Sequence, residues 1–349
     1  MTAGETYMYR CLQLALNGKG TTFPNPMVGA VIVHEGKVIG EGWHRQAGLP
    51  HAEVMAVQSV KDKKLLKNST LYVNLEPCSF HGRTPACSTM IIREGIPQVV
   101  IGTTDPNPQV SGAGIAALRQ AGVEVVTGVL EKESIELNRI FFTNQKERRP
   151  YIVLKWAQSA DGYIAGKNGK QVLISHTWSR QLVHKWRSEL PAILIGRHTL
   201  ENDNPRLDTR LWNGRNPVPV ILKSRIPDGA FQLSRYHNII YVWPGKTGEI
   251  KAPYEKIVAD DIRGMLARLY DKGISAVLVE GGRQTLQSFI DAGLWDEARV
   301  FTAPRRLGEG IAAPRLSGER WLKTDFIATD KLDYYAARQN AWIHEGAYL

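Results

Sequence analysis

The 349 residues exceed one average domain, so two domains are expected, each large enough to bury a core of its own. Hydrophobic residues at 43% and charged residues at 22% suit a soluble globular chain; no apolar run approaches the roughly 20 residues of a membrane span, and Met1-Thr2-Ala3-Gly4-Glu5 lacks the basic-then-apolar pattern of a secretory signal, so a cytoplasmic protein is expected. The 44 basic against 34 acidic residues give +10, which favours anionic partners without forming a basic run, and three cysteines (Cys11, Cys78, Cys87) are too few for a disulfide framework.

From Glu5 to about Asn17, Met8, Cys11, Leu12 and Ala15 recur at helical spacing, and Asn17-Gly18 supplies a stop. Val28 to Val33 and Lys37 to Gly40 flank His34-Glu35-Gly36 and read as a hairpin. A helix is predicted over His51 to Val60, a strand over Thr70 to Leu75, a helix over Pro85 to Glu94 and a strand over Val99 to Ile101. Gly112 to Ala121 and Val123 to Thr127 add a helix and a strand, and Leu130 to Phe142 reads as one last helix. This alternation indicates a layered α/β domain. Lys146 to Pro150 interrupts it with charge and a proline, and the boundary is placed near residue 148, with domains 1–148 and 149–349. A buried strand then begins at Tyr151-Ile152-Val153-Leu154-Lys155-Trp156. Helices near Trp178 to Ser188 and Ile262 to Lys272, and strands near Ala192 to Ile195, Val218 to Leu222, Ile239 to Val242 and Ala276 to Val279, make the second part α/β as well.

The chemistry-bearing pattern lies in the first part. His51-Ala52-Glu53 opens a helix after Gly48-Leu49-Pro50, and Cys78 follows Glu76-Pro77 at a strand end, with Cys87 nine positions later. One imidazole and two thiolates suit zinc, and three protein ligands leave a tetrahedral position open to water. A helix N-terminus favours the thiolate at Cys78. Glu53 is too close to His51 to be a ligand of the same ion, and hydrolytic deamination needs a carboxyl that moves a proton from the water to the leaving amine. A closed, purely structural zinc site would need a fourth ligand, for which His81 and His44 are the nearby candidates.

The motifs PNPMVG (Pro24 to Gly29), HAE (His51 to Glu53) and EPCSFHGRTPAC (Glu76 to Cys87) resemble the bifunctional deaminase/reductases of riboflavin biosynthesis. Nucleic-acid deaminases of the same superfamily place their cysteines as P-C-x-x-C, whereas eight residues separate Cys78 from Cys87 here. The resemblance implies a cytidine-deaminase-like three-layer domain followed by a dihydrofolate-reductase-like domain. It also implies zinc on His51, Cys78 and Cys87, catalysis by Glu53, and substrate contacts from Asn25, His44, His81 and Arg83, with Arg83 meeting a phosphate.

In the second part the resemblance rests on Lys155 to Gly162 (KWAQSADG), Gly196 to Thr199 (GRHT), Asp203 to Arg210 (DNPRLDTR) and Val279 to Gly282 (VEGG). It implies NADPH contacts from Ser159, Thr199, Asp203, Ser224, Gly281 and Gly282, and substrate contacts from Lys155, Arg187, Leu207, Arg210 and Glu280. Read physically, Glu280-Gly281-Gly282 passes from a strand into a helix carrying Thr285, where free backbone N–H groups can cradle a phosphate. The chain departs from the family pattern over Gln171 to Ser175 and at Lys223, which leaves the preference for NADPH over NADH open at those contacts. The activity implied is deamination of 2,5-diamino-6-ribosylamino-4(3H)-pyrimidinone 5′-phosphate, then reduction of its ribosyl group to ribityl. The rival readings are a nucleic-acid or nucleoside deaminase with an accessory domain, and a zinc-stabilised module that binds pyrimidine nucleotides. A homo-oligomer with no nucleic-acid or membrane partner is expected.

Overall fold

A capping box opens the first helix. The Thr2 hydroxyl accepts the Glu5 N–H at 3.2 Å and the Glu5 carboxylate accepts the Thr2 N–H at 2.7 Å, so α1 (Ala3–Leu16) starts there and buries Met8, Cys11, Leu12 and Ala15. In the computed structural model α1 belongs to the first of two compact units, Met1–Glu147 together with Trp342 and Ile343; the second is Arg148–Ala341. The structure describes residues 1–79, 86–108, 110–222, 232–236, 238–243 and 255–343.

In the first unit Glu35 and Gly36, both at positive φ (47° and 73°), turn β1 (Gly29–His34) into β2 (Lys37–Trp43) as an antiparallel hairpin. With β3 (Thr70–Leu75), β4 (Gln98–Thr103) and β5 (Glu124–Thr127) they form a five-stranded sheet in the order β2-β1-β3-β4-β5, parallel from β3 onward. Alternation along each strand splits the core between two faces. Ala30, Ile32, Leu71, Val73 and Ile101 meet α2 (Ala52–Ser59), α3 (Cys87–Glu94) and α4 (Ala113–Gln120), whereas Val31, Val33 and Val100 meet α1. A Cβ on Gly42 would lie 2.4 Å from Ala56 N and 2.6 Å from Ala52 O, so glycine is what lets β2 lie against α2.

Two expectations change here. The single helix over Leu130 to Phe142 is two, α5 (Glu131–Leu137) and α6 (Arg139–Glu147). Asn138 leaves the helical conformation (φ −101°, ψ 19°) and pairs with Met27: its Oδ1 accepts the Met27 N–H at 2.8 Å and its amide donates to the Met27 carbonyl at 2.9 Å. The helix expected from Pro85 starts at Cys87, capped by Ala86.

The second unit opens with β6 (Tyr151–Ser159), preceded by a buried pair. Arg149 donates to both oxygens of Asp296 at 2.6 and 2.8 Å, and Asp296 also accepts the Ile152 N–H at 2.7 Å. The chain continues through β7 (Tyr163–Ala165), α7 (Thr177–Glu189), β8 (Ala192–Gly196), α8 (Arg197–Asp203), β9 (Val218–Leu222), β10 (Ile240–Trp243) and β11 (Glu255–Val258). It ends with α9 (Ile262–Asp271), β12 (Ala276–Val279), α10 (Arg283–Asp291), β13 (Glu297–Ala303), β14 (Ile311–Ala312), β15 (Glu319–Ile327) and β16 (Asp330–Ala337). Nine strands form one sheet in the order β11-β10-β9-β8-β12-β6-β13-β16-β15, parallel up to β13 and antiparallel beyond it, while β7 and β14 pair separately. Ile152, Leu154, Val277 and Val279 pack against Leu266, Leu269, Phe289 and Ile290 of α9 and α10. On the opposite face Trp186 of α7 stacks at 5.6 Å on Phe301 and at 6.5 Å on Tyr334.

Candidate active sites

The deaminase-type cluster is built where three local structures end. His51 is the N-cap of α2 and makes no side-chain capping bond, so its imidazole is free to turn into the pocket. Cys78 follows the end of β3, and Cys87 is the first residue of α3. The Cys87 N–H donates to the Cys78 sulfur at 3.3 Å, while the Ser88 hydroxyl and N–H donate to the Cys78 carbonyl at 3.1 and 3.2 Å. The His51 Nδ1 lies 3.6 Å from the Cys78 sulfur and 3.4 Å from the Cys87 sulfur. Zinc–sulfur and zinc–nitrogen bonds of about 2.3 and about 2.0 Å at a tetrahedral angle place sulfur and nitrogen about 3.5 Å apart. The three residues therefore fit zinc.

Charge agrees with geometry. The Cys78 thiol is held down at about 4, chiefly by its hydrogen bond with Cys87 and secondarily by His51, against burial. Cys87 is pushed up by that same bond and by burial, so in the absence of a cation the two sulfurs share one proton. Among the described residues no fourth His, Cys, Asp or Glu joins the group. His44 does not: its Nδ1 meets the Pro50 carbonyl at 3.1 Å, its Nε2 meets the Asn25 amide at 3.1 Å, and its ring sits edge-on to His51 at 5.5 Å. Among the described residues the group therefore has three protein ligands, the number of an open site. Glu53, one helical step inside α2, is buried at 3% exposure, and burial raises its carboxyl above the usual range. His81 and Arg83 lie outside the described residues.

Glu76 carries a task that the motif alone did not reveal. Its carboxylate accepts four backbone N–H groups, from Asp105 (3.1 Å), Gly112 (3.0 Å), Gly114 (2.9 Å) and Ile115 (3.2 Å). It ties the end of β3, two residues before Cys78, to the first turn of α4. The Glu-Pro-Cys order hints at a strand end, but the donors are 29 to 39 positions away.

In the second unit Lys155, Arg187 and Glu280 come together. Arg187 donates to both Glu280 oxygens at 2.8 and 2.9 Å and to the Asp208 carbonyl at 3.1 Å, and the Lys155 Nζ is 3.7 Å from Glu280. Burial works against the Glu280 charge, yet Arg187 and Lys155 hold its carboxyl at about 2. Burial lowers Lys155, with Glu280 opposing. Arg210 is exposed and pairs with Asp208, and Leu207 is buried at positive φ (53°) with its side chain in the core. His184, one turn before Arg187 on α7, was not singled out from the sequence; burial, then Arg187 and Arg210, push it down to about 4. The spacing His184-x-x-Arg187 was the available signal.

The Gly281-Gly282 turn joins β12 to α10. A Cβ on Gly281 would lie 2.7 Å from Gly196 N and 2.8 Å from Ile195 Cα, so glycine lets this turn cross the end of β8. The Gly282 N–H donates to the Thr199 hydroxyl at 2.8 Å, and no side chain caps α10. Beside it opens a cleft of about 440 Å³ lined by Arg197, His198, Asp261, Gln284 and Thr285 among others. Clefts over strand ends and a helix start are the usual places for anionic ligands. Ser159, Thr199, Asp203, Gly281 and Gly282 are all outside its lining, which takes up the chain at Gln284 and Thr285, just past the glycine turn. Ser159 is buried, donating to Asp161 at 2.6 Å and accepting the Tyr163 N–H at 3.0 Å, and Asp203 ends α8 with its carboxyl raised by burial. Ser224 and Lys223 lie outside the described residues.

Comparison with known proteins agrees with both halves. Residues 1–103 match the family model for the cytidine and deoxycytidylate deaminase zinc-binding region, and residues 150–333 match that for the RibD C-terminal domain. The riboflavin biosynthesis protein RibD of Aquifex aeolicus is 42% identical over 318 residues, 88% of this chain and 89% of that protein. Its Escherichia coli counterpart is 36% identical over 332 residues, 87% and 88% of the two chains. The crystal structure of a diaminohydroxyphosphoribosylaminopyrimidine deaminase/5-amino-6-(5-phosphoribosylamino)uracil reductase from Thermotoga maritima superposes with a TM-score of 0.89 at 37% identity, covering 96% of this chain and 99% of that one. The architecture is a cytidine-deaminase-like domain followed by a dihydrofolate-reductase-like domain, a zinc deaminase and an NADPH-dependent reductase in one chain. The chain belongs to the RibD family of riboflavin biosynthesis proteins.

Proposed function

We propose that the first domain removes the 2-amino group of 2,5-diamino-6-ribosylamino-4(3H)-pyrimidinone 5′-phosphate by hydrolysis, and that the second reduces the ribosyl group of the product to ribityl. The observation that carries the first step is the His51–Cys78–Cys87 triangle, whose 3.4 and 3.6 Å nitrogen–sulfur separations match a zinc tetrahedron, with Glu53 buried in the adjoining turn. Zinc bound there supplies Lewis acidity that makes water nucleophilic near neutral pH. Glu53 takes the proton from that water and delivers it toward the ring nitrogen and the departing amine; a carboxyl raised by burial suits both transfers. Asn25, bonded to His44 at the pocket edge, hydrogen-bonds the pyrimidine, and His81 and Arg83 contact the ligand, Arg83 at its phosphate.

In the reductase domain Lys155, Arg187, Leu207, Arg210 and Glu280 surround the ribosyl substrate, and Ser159, Thr199, Asp203, Ser224, Gly281 and Gly282 contact NADPH. NADPH supplies the hydride. Glu280 already neutralises much of Arg187, so the exposed Arg210 is the better placed of the two arginines for the substrate phosphate. We take the functional domains as 1–148 and 149–349; the compact units are Met1–Glu147 with Trp342 and Ile343, and Arg148–Ala341. The protein works in the cytoplasm as a homo-oligomer. Incubating the purified, zinc-loaded chain with the substrate and NADPH tests the whole reading: ammonia release followed by loss of NADPH absorbance is expected, and the absence of both would overturn it. Ammonia from cytidine or tRNA instead would favour the nucleic-acid or nucleoside deaminase.

A further inference from the structure

Residues 206–210 end on Arg210, the exposed arginine placed for the substrate phosphate, and the fold pins them from several sides. The Tyr236 hydroxyl donates to the Arg206 carbonyl at 2.8 Å, and Thr209 gives its N–H and its hydroxyl to the Asn216 Oδ1, both at 2.9 Å. Leu207 is left-handed (φ 53°), with its side chain in the core beside Ile193, Leu200 and Ile221. A bulky residue keeps such a backbone only where its surroundings leave no alternative. The remaining anchor is the Asp208 carbonyl, which accepts Arg187 of α7 at 3.1 Å.

His184 stands one turn before Arg187 on the same helix face, buried at 4% exposure, and its ring also hydrogen-bonds the Asp208 backbone. Its Nδ1 is buried without a partner, so the nitrogen that donates to the Asp208 carbonyl is Nε2, and the neutral ring carries its proton there. Three charged groups face the ring: Arg187 on its own helix, Arg210 on the pinned segment and Glu280 at the end of β12. Burial, then Arg187 and Arg210, hold the imidazole down at about 4, with Glu280 and the Asp208 carbonyl opposing. The ring is therefore an uncharged donor across the ordinary working range of pH.

We propose that His184 is a positioning residue of the reductase: together with Arg187 it grips the Asp208 carbonyl and so fixes the backbone from which Arg210 reaches the substrate phosphate. Arg187 alone cannot do this freely, because its Nε and Nη2 are directed at the two Glu280 oxygens at 2.8 and 2.9 Å, and only Nη1 reaches Asp208. A second donor on the same carbonyl, from a ring with few rotamers, removes the remaining play. A charged side chain at this position would repel both arginines, whereas a neutral imidazole does not. The effect falls on phosphate recognition, since His184 is buried and acts through the pinned segment.

The proposal rests on the reading that Arg210 meets the phosphate, and the experiment separates the two. Initial rates of NADPH loss are measured with the full, zinc-loaded chain on the already deaminated substrate. His184→Leu keeps the bulk and loses the donor; it should raise KM for that substrate by about 3- to 10-fold, the worth of one hydrogen bond, with kcat and KM for NADPH unchanged. His184→Gln sets an amide N–H where Nε2 stands and should restore the native KM. Adding His184→Leu to Arg210→Gln should raise KM no further than Arg210→Gln does alone. A Leu variant with native KM, one whose KM for NADPH rises equally, or a Gln variant no better than Leu would overturn the positioning role while leaving the phosphate reading standing. An Arg210→Gln variant with native KM would overturn both. For a Leu variant that does not fold, nitrogen NMR of the histidines in the native chain decides. The signal missing from His184→Gln should be neutral with its proton on Nε2 from about pH 8 to about pH 5, and a proton on Nδ1 or a charged ring in that range would overturn the proposal.

Discussion

Glu53 and Glu280 are both buried carboxylates, and their neighbours treat them oppositely. Burial dominates at Glu53 and raises it, whereas Arg187 and Lys155 overcome burial at Glu280 and hold it at about 2. Glu53→Gln keeps the shape and removes the proposed proton carrier. It is expected to slow ammonia release by about 10²- to 10⁴-fold, the usual worth of a general acid–base group. Zinc content measured by atomic absorption should be unchanged, as should reduction of the already deaminated substrate. At Glu280 the consequence is for stability. A carboxyl held below its ordinary 4.5 contributes stability that is complete above that pH and fades as pH falls toward about 2. Glu280→Gln leaves Arg187 buried without its partner and should cost about 3–5 kcal/mol at pH 7. Urea unfolding should show that deficit narrowing below pH 4.5; an equal deficit at pH 7 and pH 3 would count against the charge pair as its origin. The zinc ligands and Glu53 were legible in the sequence because two short motifs carry all four side chains. The Arg187–Glu280 pair was not, since 93 positions separate its members and each arginine reads locally as a solvated charge.

At the scale of elements, the first unit was legible almost strand by strand, because its central strands are short apolar runs buried on both faces and its turns carry glycine and asparagine. The misreadings share a cause: polar side chains that the fold pairs in its interior override the local pattern. Asn138 splits a helix by pairing with Met27, and β13 hides because its Glu297 and Arg299 are buried against each other and look like surface charge. The Glu76 clasp is the functional instance of the same rule. Its four accepted N–H groups set where β3 ends and hence where Cys78 stands. Glu76→Gln replaces one accepting oxygen by a donor that faces N–H groups. Misplacing one ligand's support usually weakens zinc by about 10- to 100-fold. Competition with a chromophoric chelator should read that loss while circular dichroism stays native; unchanged zinc affinity would show that the clasp is not what places Cys78.

At the scale of the whole molecule, each unit has its own core, one around Ile32, Leu71 and Ile101 and the other around Leu154, Val277 and Phe289. Each also has its own ligand, zinc for the first and NADPH for the second. A ligand that binds only the folded form stabilises it by about 2.7 kcal/mol at one hundred times its dissociation constant. For units of this size about 1 kcal/mol moves a melting temperature by about 2–4 °C, so such an NADPH excess should raise the reductase transition by about 5–11 °C. Zinc removal by a strong chelator should act on the deaminase transition alone. It takes away the cation that lets both Cys78 and Cys87 be thiolates, and the two sulfurs then share one proton in a buried site. Scanning calorimetry of the full chain with and without each ligand reads both shifts. Two transitions moving independently are expected, with NADPH-dependent reduction of the deaminated substrate surviving chelation; a single transition displaced by both ligands would mean that the two cores melt as one cooperative body.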